Sequence, residues 1–409
     1  MIKKYFRYIF RILSILFICV LIYLVYIIFW IRNFNVEQSK AVENISVDLH
    51  QTFPIIRDPN GCFGVVATVN DQYTDTLLFD TQASTSLAKQ EVLDRYEAEY
   101  WKRKPMPTFN FYKQVYFSKL YKVNDITLGN GKLEGVIFTS VPKDNGMYNA
   151  LYRPVLGRAI MENIGWKFDM DNNEMVMFAL DNEQLLQHES KGFTLIKESV
   201  NDLQLYSEQT DTLNVMFDLG SNYDIIIDKN VYETLRKRQT PRMYINYRRE
   251  GLTDTIAEFH DITVFCNGIA IPDCTLSYIP SIDRNVAGNI FAGKINFILA
   301  NGDLYIKKRT DGALQPIKDG LPSLGLRLNV RNNTICVTAL EINGPAEKAG
   351  LMLSDKVIAI DKGAIEFDIM SVSSGRLESY IRQAKSLTLE IERNGERKIF
   401  VIMRKRISI

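Results

Sequence analysis

The chain is poor in the residues that build metal centres and covalent frameworks. Only three histidines occur in 409 residues, His50, His188 and His260, and no two of them share a metal-ligand spacing. Of five cysteines, Cys19 lies in a long apolar run, and Cys62, Cys266, Cys274 and Cys336 are too scattered for a disulfide framework. Cys266 and Cys274 flank the segment 267–273 and either bridge a hairpin or remain buried thiols. An excess of one charge is also missing: 49 Lys+Arg face 48 Asp+Glu, which gives no reason to expect nucleic acid or acidic lipid against the body. There is no glycine-rich phosphate loop. Ser86-Leu87-Ala88-Lys89 matches a Ser-x-x-Lys pattern without the supporting motifs of that class. Asp169–Asn173 lacks the glycine and distal glutamate of a calcium loop and reads as a hairpin turn. Sequons are few, at Asn44 and Asn332.

What is present describes a folded, anchored protein. A hydrophobic content of 46% with 11% aromatics excludes a disordered chain, and the length suits several domains. Residues 12–31 carry no charge and are long enough to span a bilayer. Lys3, Lys4, Arg7 and Arg11 precede this run, so the positive-inside rule predicts a cytoplasmic tail at 1–11 and a body outside the cytoplasm. A cleaved signal peptide is the alternative. The bulky exit Phe29-Trp30-Ile31-Arg32 lacks the small residues of a cleavage site, which favours an uncleaved anchor followed by a linker at 32–49.

The body repeats itself. Asp75-Thr76-Leu77 and Asp211-Thr212-Leu213 each lead through an apolar strand into an aspartate, Asp80 and Asp218, 138 positions apart. Asp125-Ile126-Thr127-Leu128 has its counterpart in Asp261-Ile262-Thr263-Val264, and Val155-Leu156-Gly157 in Val286-Ala287-Gly288. Short β-branched and aromatic runs bounded by turn residues predict two mostly β lobes, at 50–190 and 191–318. Short helices are expected over 90–100, 159–164 and 229–238.

Each lobe therefore presents one aspartate at a strand end, in Asp80-Thr81-Gln82-Ala83 and Asp218-Leu219-Gly220-Ser221. Brought together about a pseudo-twofold axis, two such carboxylates share a proton: one activates water and the other polarises a carbonyl. In these runs, and in the apolar-glycine partners ending at Gly157 and Gly288, the chain resembles the aspartic peptidases, as retropepsin-like lobes duplicated in a pepsin-like arrangement. The resemblance implies that Asp80 and Asp218 are catalytic. It also implies that Thr81, Gln82, Ala83, Leu219, Gly220, Ser221, Gly157 and Gly288 support their loops. Two positions depart from the family's Asp-Thr/Ser-Gly. Gln82 replaces a glycine, which predicts crowding, and Leu219 replaces a hydroxyl, so Thr81 reaches across without a reciprocal partner.

From about residue 319 the character changes. Leu324-Gly325-Leu326, a strand-like 334–340, Gly344-Pro345-Ala346-Glu347-Lys348-Ala349-Gly350-Leu351 and an expected helix at 376–384 resemble a PDZ domain over 319–409. That resemblance implies peptide capture by strand addition, with the Leu324-Gly325-Leu326 loop holding a chain end and Leu377 and Tyr380 lining the groove.

The expectation is a mainly β chain: a transmembrane helix, a bilobal acid-protease-like domain and a PDZ-like domain. The expected function is that of a membrane-anchored extracytoplasmic endopeptidase acting on polypeptides with no cofactor and no metal, and the resemblance to peptidase-like lobes followed by a PDZ domain implies a bacterial envelope protein, in the periplasm. The alternative is a catalytically impaired peptide-binding sensor or scaffold of the envelope.

Overall fold

The computed structural model describes residues 2–43, 50–57, 62–101, 106–109, 115–142, 151, 153–196, 200–249, 252–310, 324–331, 334–361, 381 and 384–404. It opens with one helix, Ile2–Glu43, of which Phe10–Phe29 is long and apolar enough to cross a membrane and is not buried against the rest of the chain. The helix extends beyond the apolar run at both ends, into the stretch expected as linker. Within that apolar run Ser14 donates its hydroxyl to the Phe10 carbonyl (2.9 Å), so its polar group is satisfied inside the helix.

The remainder is mostly β. Among the described residues the strands form sheets of six, eight, twelve and two. The two halves share one ladder. In the first, strand Tyr73–Phe79 runs parallel to Val155–Leu156, pairing Phe79 with Leu156. Val155–Leu156 is antiparallel to Ser86–Lys89, which is parallel to Gly131–Val141. In the second, Asp211–Phe217 runs parallel to Val286–Ala287, pairing Phe217 with Ala287. Val286–Ala287 is antiparallel to Ile225–Ile227, which is parallel to Ile269–Tyr278.

The six-stranded sheet joins the halves through Gly165–Asp169 and Ile295–Ala300, which pair Trp166 with Leu299, Lys167 with Ile298 and Phe168 with Phe297. Lys167 and Ile298 are 131 positions apart, the same offset that relates Gly157 to Gly288. The Lys167–Ile298 pair is thus equivalent to itself and marks the pseudo-twofold axis. Beside it Phe168 and Phe297 stack at 4.4 Å. Phe79 meets Phe168 edge-on at 5.7 Å, and Phe217 meets Phe297 at 5.3 Å. All four rings are fully buried, each contributing about 1.5–3 kcal/mol by removal from water. Because Phe79 and Phe217 immediately precede the two aspartates, this stack fixes the loops relative to one another.

Local signals account for most boundaries. Asn267-Gly268, Asn301-Gly302 and Asn394-Gly395 take positive φ at both positions and close tight hairpins. Helix Lys229–Arg238 begins at Asp228, whose carboxylate caps the Val231 amide (2.9 Å), and ends on Arg236, Lys237 and Arg238. The helix expected over 90–100 stops at Arg95: Glu97 turns to φ +54°, and Glu99–Tyr100 joins the sheet. Tertiary contact overrides propensity there, because the buried Tyr96 points its hydroxyl at Asp75 (2.8 Å). The helix expected over 159–164 is the shorter Arg158–Met161.

The C-terminal unit has its own core, including Leu326, Val337, Leu351, Leu389 and Ile402. It is stitched to the second half by strand pairing. Met243–Arg249 lies antiparallel to Thr334–Glu341, with Met243 opposite Glu341, Tyr244 opposite Leu340 and Ile245 opposite Ala339. Leu377 and Tyr380 lie outside the described residues, as does most of the helix expected at 376–384. The five cysteines are all free thiols, so Cys266 and Cys274 are unbridged, and both are buried.

Candidate active site

The two aspartate loops are built alike. The Asp80 amide donates to the Leu156 carbonyl (3.1 Å), and the Asp218 amide to the Ala287 carbonyl (2.8 Å). The apolar-glycine segments lie directly behind. Arg158 N–H donates to the Ala83 carbonyl (2.7 Å), and Asn289 N–H to the Ser221 carbonyl (2.8 Å). A Cβ at Gly157 would stand 2.5 Å from the Thr85 carbonyl carbon, and one at Gly288 would stand 2.3 Å from the Tyr223 carbonyl oxygen. Only glycine lets these backbones approach so closely.

The carboxylates are held from within their loops. Asp80 Oδ1 accepts the amides of Gln82 (2.8 Å) and Ala83 (2.7 Å), and Asp218 Oδ1 accepts that of Gly220 (2.9 Å). Ser221 N–H donates to the Asp218 carbonyl (3.2 Å). Asp80 is half-buried and Asp218 is 8% exposed.

The loops meet across the axis. A Cβ added at Gly220 would fall 2.3 Å from Asp80 Oδ2, which places the Asp218 loop against the Asp80 carboxylate. Thr81, 3% exposed, donates its hydroxyl to the Phe217 carbonyl (2.7 Å) and accepts the Leu219 amide (3.1 Å). Leu219 carries no hydroxyl to return and is fully buried in the apolar core. Gln82 sends its side chain across instead of crowding the site, donating Nε2–H to the same Phe217 carbonyl (3.0 Å). The two aspartate loops thus share a junction, set by backbone hydrogen bonds within each loop and by the three bonds that Thr81 and Gln82 make across the halves.

The hairpin Met106–Phe109 and Val115–Ser118 rises from the first half, with Phe117 72% exposed. At the corresponding point in the order of the second half, Met243–Arg249 pairs antiparallel with Leu252–Cys266 and, on its other edge, with the C-terminal unit.

Other sequence candidates find different surroundings. Ser86 is fully buried and accepts the Gly157 amide on its hydroxyl (3.2 Å), a structural role behind the Asp80 loop. Asp169 Oδ1 accepts the amides of Asp171 and Asn172, both at 3.1 Å, and closes a turn. His260 pairs with Glu258 (3.1 Å), and His50 and His188 both contact Glu189 (2.9 and 3.0 Å). Among the described residues no group of three or more His, Cys, Asp or Glu side chains is placed to hold a metal. In the C-terminal loop the side chains of Leu324 and Leu326 are buried in the unit's core. Gly325 sits at φ +69° and the Leu324 carbonyl accepts the Ala346 amide (3.1 Å).

Two polar clusters carry no local sequence signal. Asp224, on the loop leaving Asp218, forms a buried ion pair with Lys294, whose Nζ also donates to the Asp273 carbonyl (2.7 Å). Asp224 accepts the Thr275 amide on Oδ2 (2.7 Å), and its backbone carbonyl takes the Gly288 amide (2.8 Å). Burial pushes the Asp224 carboxyl above the usual range. The second cluster surrounds Glu189. Burial alone would raise its carboxyl, but hydrogen bonds from Lys167, His50 and His188 outweigh that and hold it at about 2.

No family model matches the chain, and no curated protein matches it. Among solved structures it is similar to a retropepsin-like aspartic protease from Rickettsia conorii. That match has 16% identity and a TM-score of 0.24, and covers 33% of this chain and 95% of that one. Basic 7S globulin from soybean matches with 9% identity and a TM-score of 0.37 over 64% of this chain and 95% of that chain. An HtrA-type protease with a decapeptide matches with 13% identity and a TM-score of 0.16, over 38% of this chain and 49% of that chain.

Proposed function

We propose that the chain is a membrane-anchored aspartic endopeptidase whose body stands outside the cytoplasm, in a bacterial periplasm, and cleaves polypeptides through Asp80 and Asp218. The observation that carries this reading is the close approach of Gly220 to the Asp80 carboxylate, which joins the two aspartate loops at one point. One carboxylate takes a proton from water as the water attacks the peptide carbonyl. The other, protonated, polarises that carbonyl and then delivers a proton to the departing nitrogen. The two titrate as a unit. An extended substrate lies along the junction of the two aspartate loops. The 319–409 unit acts as a PDZ-like peptide-binding domain, and its strand pairing to the second hairpin supports a gating role for it. Thr81, Gln82, Ala83, Leu219, Gly220, Ser221, Gly157 and Gly288 hold the loops.

A second reading, a peptide-binding sensor or scaffold without catalysis, is favoured by one feature: Leu219 lacks the hydroxyl that would make the support across the halves reciprocal. The two readings separate when full-length protein in detergent micelles is offered a diverse peptide pool between about pH 4 and 8, beside the Asp80→Asn/Asp218→Asn double variant. Cleavage by the wild type alone supports the endopeptidase. Peptide binding that persists unchanged in the double variant, with no cleavage by either, supports the scaffold.

A further inference from the structure

Gln82 occupies the position where a glycine would be expected, and the corresponding position in the other half, Gly220, shows why a side chain there is costly. At Gly220 even a Cβ would stand 2.3 Å from the opposing carboxylate. Gln82 instead leads its side chain past the loop to the Phe217 carbonyl (3.0 Å). That oxygen already accepts the Thr81 hydroxyl (2.7 Å), and its two lone pairs accommodate both donors. The Phe217–Asp218 peptide is therefore gripped by two side chains of the first half, while its N–H side is fixed by Asp218 N–H donating to Ala287 (2.8 Å).

Resting on the endopeptidase reading, we infer that Gln82 is a positioning residue that supplies, from the first half, the second side-chain bond across the junction that Leu219, without a hydroxyl, does not make. The two features complement each other: the first half supplies both side-chain donors, Thr81 and Gln82, and the second half supplies Leu219 and Gly220, which have none. This doubled, one-sided grip fixes the peptide that leads into Asp218, whose carboxylate is then held by the Gly220 amide (2.9 Å). The arrangement is directional, because the same exchange made the other way would drive a side chain at 220 into Asp80.

The test measures kcat and KM of the full-length protein in detergent on one peptide cleaved by the wild type. Gln82→Met removes the donor and keeps the bulk. Gln82→Gly/Leu219→Thr rebuilds an Asp-Thr-Gly run in the first half and a hydroxyl in the second. Gln82→Met and Gln82→Gly are expected to lower kcat about fivefold or more with KM little changed, the size of one lost hydrogen bond to a positioned group. The double variant is expected to recover most of that loss. Wild-type kcat in both single variants, or a double variant no better than Gln82→Gly, overturns the inference. If the wild type cleaves nothing, the endopeptidase reading fails separately. Thermal unfolding then decides: Gln82→Met must lower the midpoint non-additively with Thr81→Val, which shares its acceptor, and additive or absent shifts refute the bond.

Discussion

Gly220→Ala is expected to separate catalysis from folding. The new methyl carbon would stand 2.3 Å from Asp80 Oδ2 and 2.4 Å from its carboxyl carbon, about 1 Å inside ordinary contact. The cheapest relief is a shift of the Asp80 carboxylate, a short side chain that can swing at the loss of its bonds to the Gln82 and Ala83 amides (2.8 and 2.7 Å). Stability should therefore fall modestly, by about 1–2 kcal/mol for two weakened hydrogen bonds. A displacement of about 1 Å at a reacting group costs about 100-fold in rate. Gly157→Ala and Gly288→Ala serve as the contrast. There the clash is with backbone atoms at 2.5 and 2.3 Å, which cannot swing aside. Those variants should lose about 3 kcal/mol or more, or fail to accumulate as folded protein. Peptide cleavage and urea unfolding, run on the same preparations, read the two effects. A Gly220→Ala variant that cleaves at the wild-type rate would refute the reasoning, since the carboxylate would then not be at the junction.

Two further outcomes follow from the buried charges. Glu189 is lowered from 4.5 to about 2, so its share of stability is fully present above about pH 4.5 and is lost as pH falls toward 2. That share is at most about 3 kcal/mol, and nearer 1–2 kcal/mol once screening around the exposed His50 and His188 is allowed for. Unfolding measured against pH should lose this acid-side slope in Glu189→Gln, and an unchanged slope would contradict it. Lys294→Met strands the buried Asp224 carboxylate and should cost about 3–5 kcal/mol, most of it recovered in Asp224→Asn/Lys294→Met. A double variant as unstable as the single one would show that packing, not charge, decides there.

Much of the architecture is legible in the residues because it depends on local chemistry. Asn-Gly pairs at 267, 301 and 394 announce their hairpins, Asp228 announces its helix, and the duplicated aspartate and glycine runs announce a repeated ladder. What stays hidden depends on distant partners. The reach of Gln82 to a carbonyl 135 positions away is invisible in a run that suggests only crowding. Lys294 has no motif around it, because its partner is 70 positions earlier in the chain. The pairing of Tyr244 with Leu340 has no side-chain signature, since backbone addition at a strand edge accepts almost any residue. The early stop of the helix after Arg95 depends on Asp75, which local propensity cannot register.

The central claim is that Asp80 and Asp218 work as one catalytic unit, and the most direct measurement compares peptide cleavage by Asp80→Asn, Asp218→Asn and the double variant in the full-length protein. Groups that act as a unit are non-additive, so each single variant should fall to the same floor as the double. A single variant that keeps substantial wild-type activity, with the other inactive, would contradict the account.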